Sequence, residues 1–355
     1  MTFNVPPTSG IRVPPEEMRR IVAALFEKSG TSRKAAEFMA CLLVQTDLRG
    51  IFSHGTQKAP YYIRMMLEGR VNPKPEIDEV GKTSTTLILD GDGGLGHFPC
   101  YYGTEWAIAT AKEHGLAAVT TRNHFHIGPA GYYSRMALEH NCVGLAVSSH
   151  RYRLDPDESI LQASGGSPIS IAIPAGEQPP LVLDMGTTLP PWDPRLFKHY
   201  PWVYFRDLGL GAILQALGGI LAGIYKPEML PPQSRWESDQ GAFIAVFDVS
   251  RFFPADEFRK EMDRYIAEAR NMKPLPGYNS AELSGGPEWR REREYARDGI
   301  PVSLEHQKSL EKIATDLEVE APFEKYEHTR FNSHNGRRLS IWRLKNAMRF
   351  ARRAG

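Results

Sequence analysis

Cysteine is scarce in this chain of 355 residues, which carries only Cys41, Cys100 and Cys142. These three are too few and too scattered for a disulfide framework, and no C-x-x-C pair occurs, so a small disulfide-stapled protein is excluded. Each lies in an apolar helix or strand context, which predicts buried, inert thiols in a reducing compartment. Residues 1–12 lack a basic stretch followed by an apolar core, so we predict no signal peptide and expect a cytoplasmic protein.

A strong net charge is also absent, because 43 basic residues nearly balance 42 acidic ones. Seven of the basic residues and no acidic ones lie in residues 337–355, so the rest of the chain is mildly acidic. Its main surface is therefore not of the kind that binds nucleic acid. Ser340 can cap a basic amphipathic helix in this tail. Such a helix can bind a membrane or nucleic acid, but we favour docking on the acidic body or on a partner subunit.

Only one long apolar run occurs, the 18 uncharged residues from Leu208 to Tyr225. This length is at the lower limit for a membrane span, and Gly219 and Gly223 form a G-x-x-x-G pair. Charged residues bound the run at both ends, and no second run of this kind exists. We therefore predict a helix buried within a soluble fold, and no membrane span.

The order of the predicted elements indicates an α/β fold. Residues up to Leu67 are predicted to be mainly helical, residues 85–249 alternate between strands and helices, and further amphipathic helices follow. The stretch from Pro274 to Glu294 is rich in glycine, proline and serine, which predicts an extended loop. The predicted parts are a helical N-terminal part (1–80) that packs with 255–320, an α/β domain (81–254), C-terminal helices (255–320) and a basic extension (321–355).

Two histidines lie just past the ends of predicted regular elements, where loops commonly carry chemistry. His54, in Ser53-His54-Gly55, follows a predicted helix that ends at Gly50. His126, in His126-Ile127-Gly128, follows a predicted buried strand that begins at Leu116. Because histidine titrates near neutral pH, each can exchange one proton while a cofactor carries a hydride. The alternative is that each is an ordinary hydrogen-bonded residue of the surface or core.

The stretch from Gly91 to Gly96 fits the pattern G-x-G-x-x-G between a predicted strand and a predicted helix. This is the context of a dinucleotide-binding fingerprint, and Arg122 after the next strand can meet a 2′-phosphate. Residues 85–150 would then form an NADP-binding βαβ unit. Asp90 and Asp92 place negative charge beside the pyrophosphate, which is unfavourable, and a match of glycines alone is weak. This interpretation is therefore the runner-up.

Six stretches carry further motifs in a recognisable order and spacing. They are DLRGIFSHGTQKAPYYIRMM (47–66), residues 89–149 with their DGDGGLG and NHFHIG segments, GGSPISIAIP (165–174), LVLDMGTT (181–188), LGLGAILQALGGILAG (208–223) and GAFIAVFDVSRFFPADEF (241–258). Together they resemble the malate/L-lactate dehydrogenase family that lacks a Rossmann fold. That family includes sulfolactate and ureidoglycolate dehydrogenases, diketogulonate reductase and cyclic-imine reductases. The resemblance covers nearly the whole chain to residue 318.

The resemblance implies a non-Rossmann α/β fold, with a helical N-terminal part and a mixed, largely antiparallel sheet in the cofactor domain. It implies a homodimer whose active site lies near the subunit interface, with NAD or NADP as the cofactor. The reaction would interconvert a small 2-hydroxy acid and its 2-oxo acid, or reduce a related cyclic imine. The DGDGGLG stretch would then be the family's own loop after a strand.

The same resemblance assigns roles to individual residues. Ser53, His54 and His126 are the catalytic candidates, because a hydride leaving carbon must be matched by a proton leaving oxygen. Which histidine transfers the proton stays open, as does the choice between NAD and NADP. Arg49 or Lys58 would hold the substrate carboxylate. The residues implied in cofactor binding are Ser149, His150, Asp184, Met185, Gly186, Arg206 and Asp207, and no metal site is implied.

Several positions depart from the family pattern. Lys58 stands where relatives usually carry arginine, which exchanges a two-pronged grip on a carboxylate for a point charge. Arg206-Asp207 replaces the usual Lys-Gly, Ser149-His150 replaces Asn-Ser, and residues 188–206 form a shorter segment than in relatives. These changes leave an alternative function. The chain would then be a divergent member that has lost or changed dehydrogenase activity, and that binds a ligand or catalyses another reaction.

Overall fold

The computed structural model describes residues 5–187, 192–229, 235, 236 and 238–332. The predicted basic helix in residues 337–355 lies outside these residues, as do residues 188–191 of the shortened segment. The chain divides into two units. The first comprises the described residues of 1–28, 33–63 and 291–355, and the second comprises those of 29–32 and 64–290. The four-part division made from the sequence remains a proposal.

Helices and strands alternate through most of the described chain. The helices are α1 (Pro15–Lys28), α2 (Arg33–Leu48), α3 (Ala59–Leu67), α4 (His97–His114), α5 (Ala130–Met136), α6 (Pro194–His199), α7 (Pro201–Gln215), α8 (Ala255–Arg270), α9 (Gly286–Asp298) and α10 (Leu304–Asp316). The strands are β1 (Ser9–Val13), β2 (Asp78–Lys82), β3 (Thr86–Asp90), β4 (Leu116–His124), β5 (Cys142–His150), β6 (Pro168–Ile173), β7 (Leu181–Gly186), β8 (Gln240–Asp248), β9 (Ile300–Val302) and β10 (Phe331–Asn332). Short 3₁₀ turns at Phe52–His54 and Thr56–Lys58 separate α2 from α3.

The first unit combines a helix pair with a small sheet. Helices α1 and α2 pack through apolar positions at helical spacing, and Met18, Leu25, Met39 and Leu43 are fully buried there. Strand β1 is the centre of a three-stranded sheet of order β10-β1-β9, with both pairings antiparallel. The apolar side of α10 contacts β1 and closes this core, in which Leu310 is fully buried.

The second unit is built on a seven-stranded sheet of order β2-β3-β4-β8-β5-β6-β7. Among these described strands only β3 and β4 pair in parallel, with α4 as the crossover, and the other pairings are antiparallel. Helix α5 packs on β5 and β6. The predicted α/β class, with a mixed and largely antiparallel sheet, is thereby confirmed.

The glycine-rich loop between β3 and α4 makes room for protein atoms. A Cβ atom at Gly94 would lie 2.5 Å from the ring of Pro75, and one at Gly96 would lie 2.5 Å from Nδ1 of His124. A dinucleotide fingerprint uses its glycines to admit a pyrophosphate, whereas these two admit neighbouring side chains. The parallel βαβ connection is present, but its glycines are explained by packing, so the runner-up interpretation loses its support.

The prediction that residues 208–225 form a helix buried within the fold is wrong for one side of that helix. Helix α7 starts earlier and continues into a π-helical turn at Ala216–Ile220, and one side of it packs on β5 with Leu214 buried. On the opposite side Ile213, Ile220 and Leu221 are 58–63% exposed. The run is apolar all round, but the sheet covers only one of its sides. Among the residues that the structure describes, no helix combines the length and apolar character needed to cross a membrane.

The extended loop predicted over residues 274–294 is also wrong in its second half, because α9 begins at Gly286. From Glu288 onward, acidic residues and arginines alternate at distances that stabilise an exposed helix, and the preceding glycines and prolines obscured this pattern.

The cysteine prediction is confirmed for two of the three residues. Burial raises the pKa of Cys100 to about 12 and that of Cys142 to about 11, so both thiols stay protonated and unreactive at neutral pH. Cys41 is only half-buried, which differs from the expectation.

We predict that Gly144→Ala destabilises the second unit, because a methyl group at this position of β5 would collide with the Ser134 carbonyl oxygen of α5. Overpacking of this kind costs about 1–3 kcal/mol. Gly209→Ala in α7 is the matched control, since nothing lies within 4 Å of its new methyl group. Alanine has a higher helix propensity than glycine, so this control should raise the free energy of unfolding by up to about 1 kcal/mol. Urea unfolding measures both variants, and equal effects would contradict the packing argument.

Candidate active site

The first candidate residues lie in the turn that follows α2, within the first unit. The backbone N–H of His54 donates to the carbonyl of Ile51 at 3.0 Å and closes the turn. The hydroxyl of Ser53 lies 2.8 Å from Nδ1 of His54. A hydroxyl both donates and accepts, so this hydrogen bond persists whether or not Nδ1 carries a proton. Ser53 therefore orients the imidazole in either protonation state.

A cleft of ≈ 610 Å³ opens beside this turn. Its wall includes Phe52, Ser53, Gln57, Lys58, Tyr61 and His306, all of the first unit. The volume is in the range of sites that bind small molecules, and the wall combines aromatic, hydroxyl and cationic groups. The cleft can therefore take a small, negatively charged organic molecule.

The electrostatics of the turn set the charge of His54. Burial lowers the pKa of His54 below its ordinary value, and the positive charge of Lys58 lowers it further. His54 is therefore neutral at pH 7, where it can accept a proton. The ammonium of Lys58 lies 5.6 Å from the ring centre of Tyr61, within the range of a cation–π contact. The structure brings Ser53, His54 and Lys58 together on two consecutive 3₁₀ turns.

Arg49, the other candidate for a substrate carboxylate, already has a carboxylate partner. Its guanidinium lies 3.2 Å from a carboxylate oxygen of Glu292, and its side chain is only 16% exposed. Both residues belong to the first unit. This ion pair gives Arg49 a role in the fold, whereas Lys58 lines the cleft.

A buried row of polar side chains, which the sequence motifs did not reveal, supports the same turn. Oδ2 of Asp47 accepts hydrogen bonds from the backbone N–H of Thr56 at 3.1 Å and lies 2.5 Å from the Thr56 hydroxyl. That hydroxyl lies 3.1 Å from Nε2 of His306 at the start of α10. A signal was available, because Asp47 follows Leu43 by about one helical turn and so falls on the buried face of α2.

His126 lies in the second unit, in the segment between β4 and α5. The backbone N–H of Gly128 donates to Nδ1 of His126 at 3.1 Å. Because a backbone N–H only donates, Nδ1 has no proton and the neutral ring carries its proton on Nε2. The ring of His97 lies edge-on to His126, with the centroids 6.4 Å apart. The segment thus presents His126 as a hydrogen-bond donor through Nε2.

Two further contacts fix the backbone around His126. Gly128 has φ +75°, and a Cβ atom there would lie 2.6 Å from Nε2 of His97, so both its conformation and the neighbouring ring require glycine. The buried hydroxyl of Tyr133 donates to the carbonyl of Ile127 at 2.5 Å. These contacts explain the glycine of the His126-Ile127-Gly128 motif in physical terms.

His124, two residues before His126, is a core residue. Its Nδ1 lies 2.7 Å from the carbonyl of Phe125 and its Nε2 lies 2.8 Å from the hydroxyl of Thr121. Because a carbonyl only accepts, Nδ1 carries the proton. Burial lowers the pKa of His124 to about 4, so the ring is neutral and serves the fold.

Among the predicted cofactor residues, Ser149 is buried and fully engaged with its neighbours. Its hydroxyl contacts the hydroxyl of Ser167 and the amide oxygen of Gln215. The Gln215 amide nitrogen donates to the hydroxyl of Tyr225 at 2.7 Å and to the carbonyl of His150 at 3.3 Å. This network joins the end of β5 to α7, while the His150 side chain itself is exposed.

The other predicted cofactor residues divide into paired and exposed ones. Asp184 lies 3.7 Å from the guanidinium of Arg135 on α5. Met185 and Gly186 are exposed on β7, which is one of the two edge strands of the sheet, and Arg206 is exposed on α7. Burial raises the pKa of Asp207 on the same helix.

These features define a class of protein: a non-Rossmann α/β protein with a lysine on the wall of a small-molecule cleft and a neutral histidine on the adjoining turn. The chain belongs to the malate/L-lactate dehydrogenase family, whose sequence model matches residues 13–193 and 199–311. The resemblance inferred from the motifs is thereby confirmed. This is a family of hydroxy acid dehydrogenases, which supports an oxidoreductase.

Relatives match over most of their length. The malate dehydrogenase of Pyrococcus horikoshii is 28% identical over 348 residues, which cover 87% of this chain and 96% of that protein. The L-sulfolactate dehydrogenase of Methanocaldococcus jannaschii is 27% identical over 336 residues, which cover 85% of this chain and 96% of that protein. The solved structure of malate dehydrogenase from Pyrococcus horikoshii OT3 superposes with a TM-score of 0.77 at 27% identity, covering 88% of this chain and 97% of that one.

We predict that Tyr133→Phe destabilises the second unit by about 1–3 kcal/mol, because it leaves the buried Ile127 carbonyl without its donor. Tyr102→Phe is the matched control, since this exposed tyrosine donates to Glu79 at 2.7 Å and the freed carboxylate can turn to water. Thermal and urea unfolding compare the two. A Tyr102→Phe effect as large as that of Tyr133→Phe would refute the role given to the Ile127 contact.

Proposed function

We propose that the protein is an NAD(P)-dependent oxidoreductase that interconverts a small 2-hydroxy acid and its 2-oxo acid, or reduces a related cyclic imine. The observation that carries the proposal is the pair of turns on which Ser53 orients a neutral His54 close to the charge of Lys58, with Ser53 and Lys58 on the wall of a cleft. The relatives named above act on malate and sulfolactate, which are small acids of this kind.

The oxidation direction needs a group that accepts the hydroxyl proton, and we assign this role to His54. Its lowered pKa keeps the imidazole free of the extra proton at pH 7. To accept this proton at Nε2, the neutral ring carries its own proton on Nδ1 and donates it to the hydroxyl of Ser53. Ser53 remains the acceptor when the ring is protonated, so it keeps the ring in place. His54 can therefore change protonation state without changing orientation.

We assign His126 the complementary role of polarising the substrate oxygen. The Gly128 N–H holds Nδ1 as an acceptor, so Nε2–H is the donor that the ring offers. Taking up a second proton would cost this backbone hydrogen bond, which disfavours His126 as the group that exchanges the proton. This division of roles answers, as a proposal, the question that the motifs left open.

Lys58 is the residue that we assign to the substrate carboxylate. It lines the cleft, whereas Arg49 is paired with Glu292. A single ammonium offers a strong charge but no two-pronged geometry, so Ser53 and Gln57 on the same wall would supply the remaining donors. The proposed substrate is an acid small enough for the cleft.

The cofactor is proposed to use the exposed members of the predicted set. Arg206 and His150 offer polar and cationic groups for phosphate, and the edge strand at Met185 and Gly186 offers backbone groups for ribose or amide. When bound, the nicotinamide supplies the hydride chemistry. The choice between NAD and NADP, a homodimeric state and a cytoplasmic location are further parts of the proposal.

A second candidate is a family member that binds a ligand without dehydrogenase activity. It is favoured by one observation, namely that Ser149 and Asp184 are engaged by protein groups, Ser167 and Gln215 for the first and Arg135 for the second. Titration with NADH and with NADPH, followed by energy transfer from tryptophan, separates the two candidates. Saturable binding of either supports the dehydrogenase, and no binding of either favours the second candidate.

We predict that Lys58→Met raises KM for a 2-oxo acid by about 10–100-fold with a smaller change in kcat, because a charged hydrogen bond contributes about 1.5–3 kcal/mol. Lys58→Arg should retain low KM, since it keeps the charge. Lys34→Met, at an exposed position of α2, removes the same charge as a control. An unchanged KM in Lys58→Met would exclude Lys58 as the carboxylate group.

We predict that oxidation of a hydroxy acid keeps its full rate at pH 7 and falls only below the ordinary histidine range, as His54 becomes protonated. The direction of this pH dependence follows from the lowered pKa of His54. Because of it, the neutral form of His54, which accepts the proton, persists to lower pH. His54→Gln should reduce kcat by about 10²–10⁴-fold and abolish this acidic limb. His114→Gln, at the end of α4, is the control. An unchanged limb in His54→Gln would assign the proton transfer to another group.

A further inference from the structure

Three buried polar side chains of the first unit form a continuous hydrogen-bonded row. Asp47 comes from α2, Thr56 from the 3₁₀ turn after it and His306 from the first turn of α10. Asp47 and Thr56 are fully buried, and His306 is 3% exposed where it lines the cleft. The distances are 2.5 Å from Thr56 Oγ1 to Asp47 Oδ2 and 3.1 Å from Thr56 Oγ1 to His306 Nε2.

The single proton of the Thr56 hydroxyl allows two complete arrangements of this row. In one, protonated Asp47 donates to Thr56, Thr56 donates to Nε2 of His306, and His306 carries its proton on Nδ1. In the other, Thr56 donates to ionised Asp47, and Nε2–H of His306 donates to Thr56. The first arrangement holds one proton more than the second. Between them, every hydrogen bond of the row reverses direction.

We propose that Asp47, Thr56 and His306 form a proton relay that ends in the cleft, so that the charge of the buried carboxyl and the tautomer of His306 change together. A proton that arrives at Nδ1 of His306 sends the Nε2 proton to Thr56 Oγ1 and the Thr56 proton to Asp47 Oδ2. One N–H bond forms at Nδ1, one breaks at Nε2, and the carboxylate becomes a carboxylic acid. The reverse series releases a proton to the cleft.

The surroundings place the exchange near neutral pH. Burial raises the pKa of Asp47 to about 7, while burial lowers that of His306 to about 4. Both groups are therefore uncharged between these values, which matches the first arrangement, and Asp47 ionises above about pH 7. The charged or titratable groups of the adjoining elements include Arg12 on β1, Arg49 with its partner Glu292, and His54 and Lys58 on the turns. On α10 they are Glu305, Lys308, Glu311, Lys312 and Asp316.

If the row served structure alone, its buried carboxyl group would lower the stability of the fold without need. Asp47 is fully buried, and its Oδ1 has no hydrogen-bond partner among the described residues. An asparagine could accept the same Thr56 N–H without bringing a titratable group into the core. Gly55, beside His54, packs directly on Oδ1, since a Cβ atom there would collide with it. The relay therefore runs immediately beneath the predicted catalytic turn.

The use of the relay in catalysis rests on the proposed function, whereas its existence does not. Oxidation of a hydroxy acid sends a hydride to the cofactor and releases one proton, which His54 accepts first in our assignment. The relay can take up that proton through the cleft and store it on Asp47. Asp47 and Thr56 are positioning residues in this scheme, because they act through His306.

The experiment is long-range ¹H–¹⁵N NMR of the histidine rings in the full-length chain, titrated from pH 5 to 9, with the His306 signals assigned by their loss in His306→Gln. We expect wild-type His306 to change from the Nδ1–H to the Nε2–H tautomer near pH 7, while remaining neutral. A single tautomer over the whole range would overturn the proposal, whether or not the protein has dehydrogenase activity.

Variants of the row supply the controls. Thr56→Val, which cuts the row, and Asp47→Asn, which removes the titrating group, should each leave His306 in one tautomer, whereas Thr56→Ser should retain the change. Thr46→Val removes a buried hydroxyl outside the row, on α2, which donates to the Leu42 carbonyl at 2.8 Å. This variant should leave the tautomer change of His306 intact. Persistence of the change in folded Thr56→Val or Asp47→Asn would also overturn the relay.

The kinetics of Thr56→Val and Asp47→Asn test whether the relay takes part in catalysis. In both variants kcat should fall while KM stays unchanged. A kcat equal to that of the wild type would confine the relay to the free protein.

Discussion

The hydrogen bonds between Thr56 and the buried carboxyl of Asp47 hold the turn on which the candidate chemistry depends. Ser53, His54 and Lys58 lie on short 3₁₀ turns, which have little stability of their own. Two bonds from Thr56 tie these turns to α2. Gly55 follows from the same constraint, because any side chain there would collide with the Asp47 carboxyl. The Ser-His-Gly motif is therefore shaped by an acid six residues before Ser53 as much as by the histidine within it.

The two candidate histidines are oriented by near neighbours in the sequence, but with opposite chemical consequences. His54 contacts the hydroxyl of the preceding residue, which tolerates a change in protonation. His126 accepts from the N–H of Gly128, which fixes one tautomer and disfavours the charged form. Such local contacts are carried by the motif itself. The same side chain can therefore be given two different roles without any long-range partner.

Local pattern predicted much of the fold, whereas partners distant in sequence could not be predicted. The alternation of strands and helices and the motif order indicated the mixed sheet, because periodicity and turn residues act over a few positions. Thr56 and His306 are separated by 250 positions, so no window of sequence reveals their contact. The same limit applies to Arg49 with Glu292 and to Asp184 with Arg135. The apolar composition of residues 208–225 also gave a wrong prediction for the exposed side of α7, because an apolar run does not reveal which of its sides the sheet will cover.

In the proposed assignment of roles, the departures from the family pattern fall on ligand recognition more than on proton transfer. Lysine at position 58 keeps the positive charge that helps to lower the pKa of His54, and that effect depends on charge and distance. What lysine lacks is the planar fork with which arginine grips a carboxylate. The changed positions of the second unit, Ser149-His150 and Arg206-Asp207, belong to the residues implied in cofactor binding. Under these proposed roles His54 and His126 are both present, so the divergence of this chain lies in the residues assigned to ligand binding and not in those assigned to acid–base chemistry.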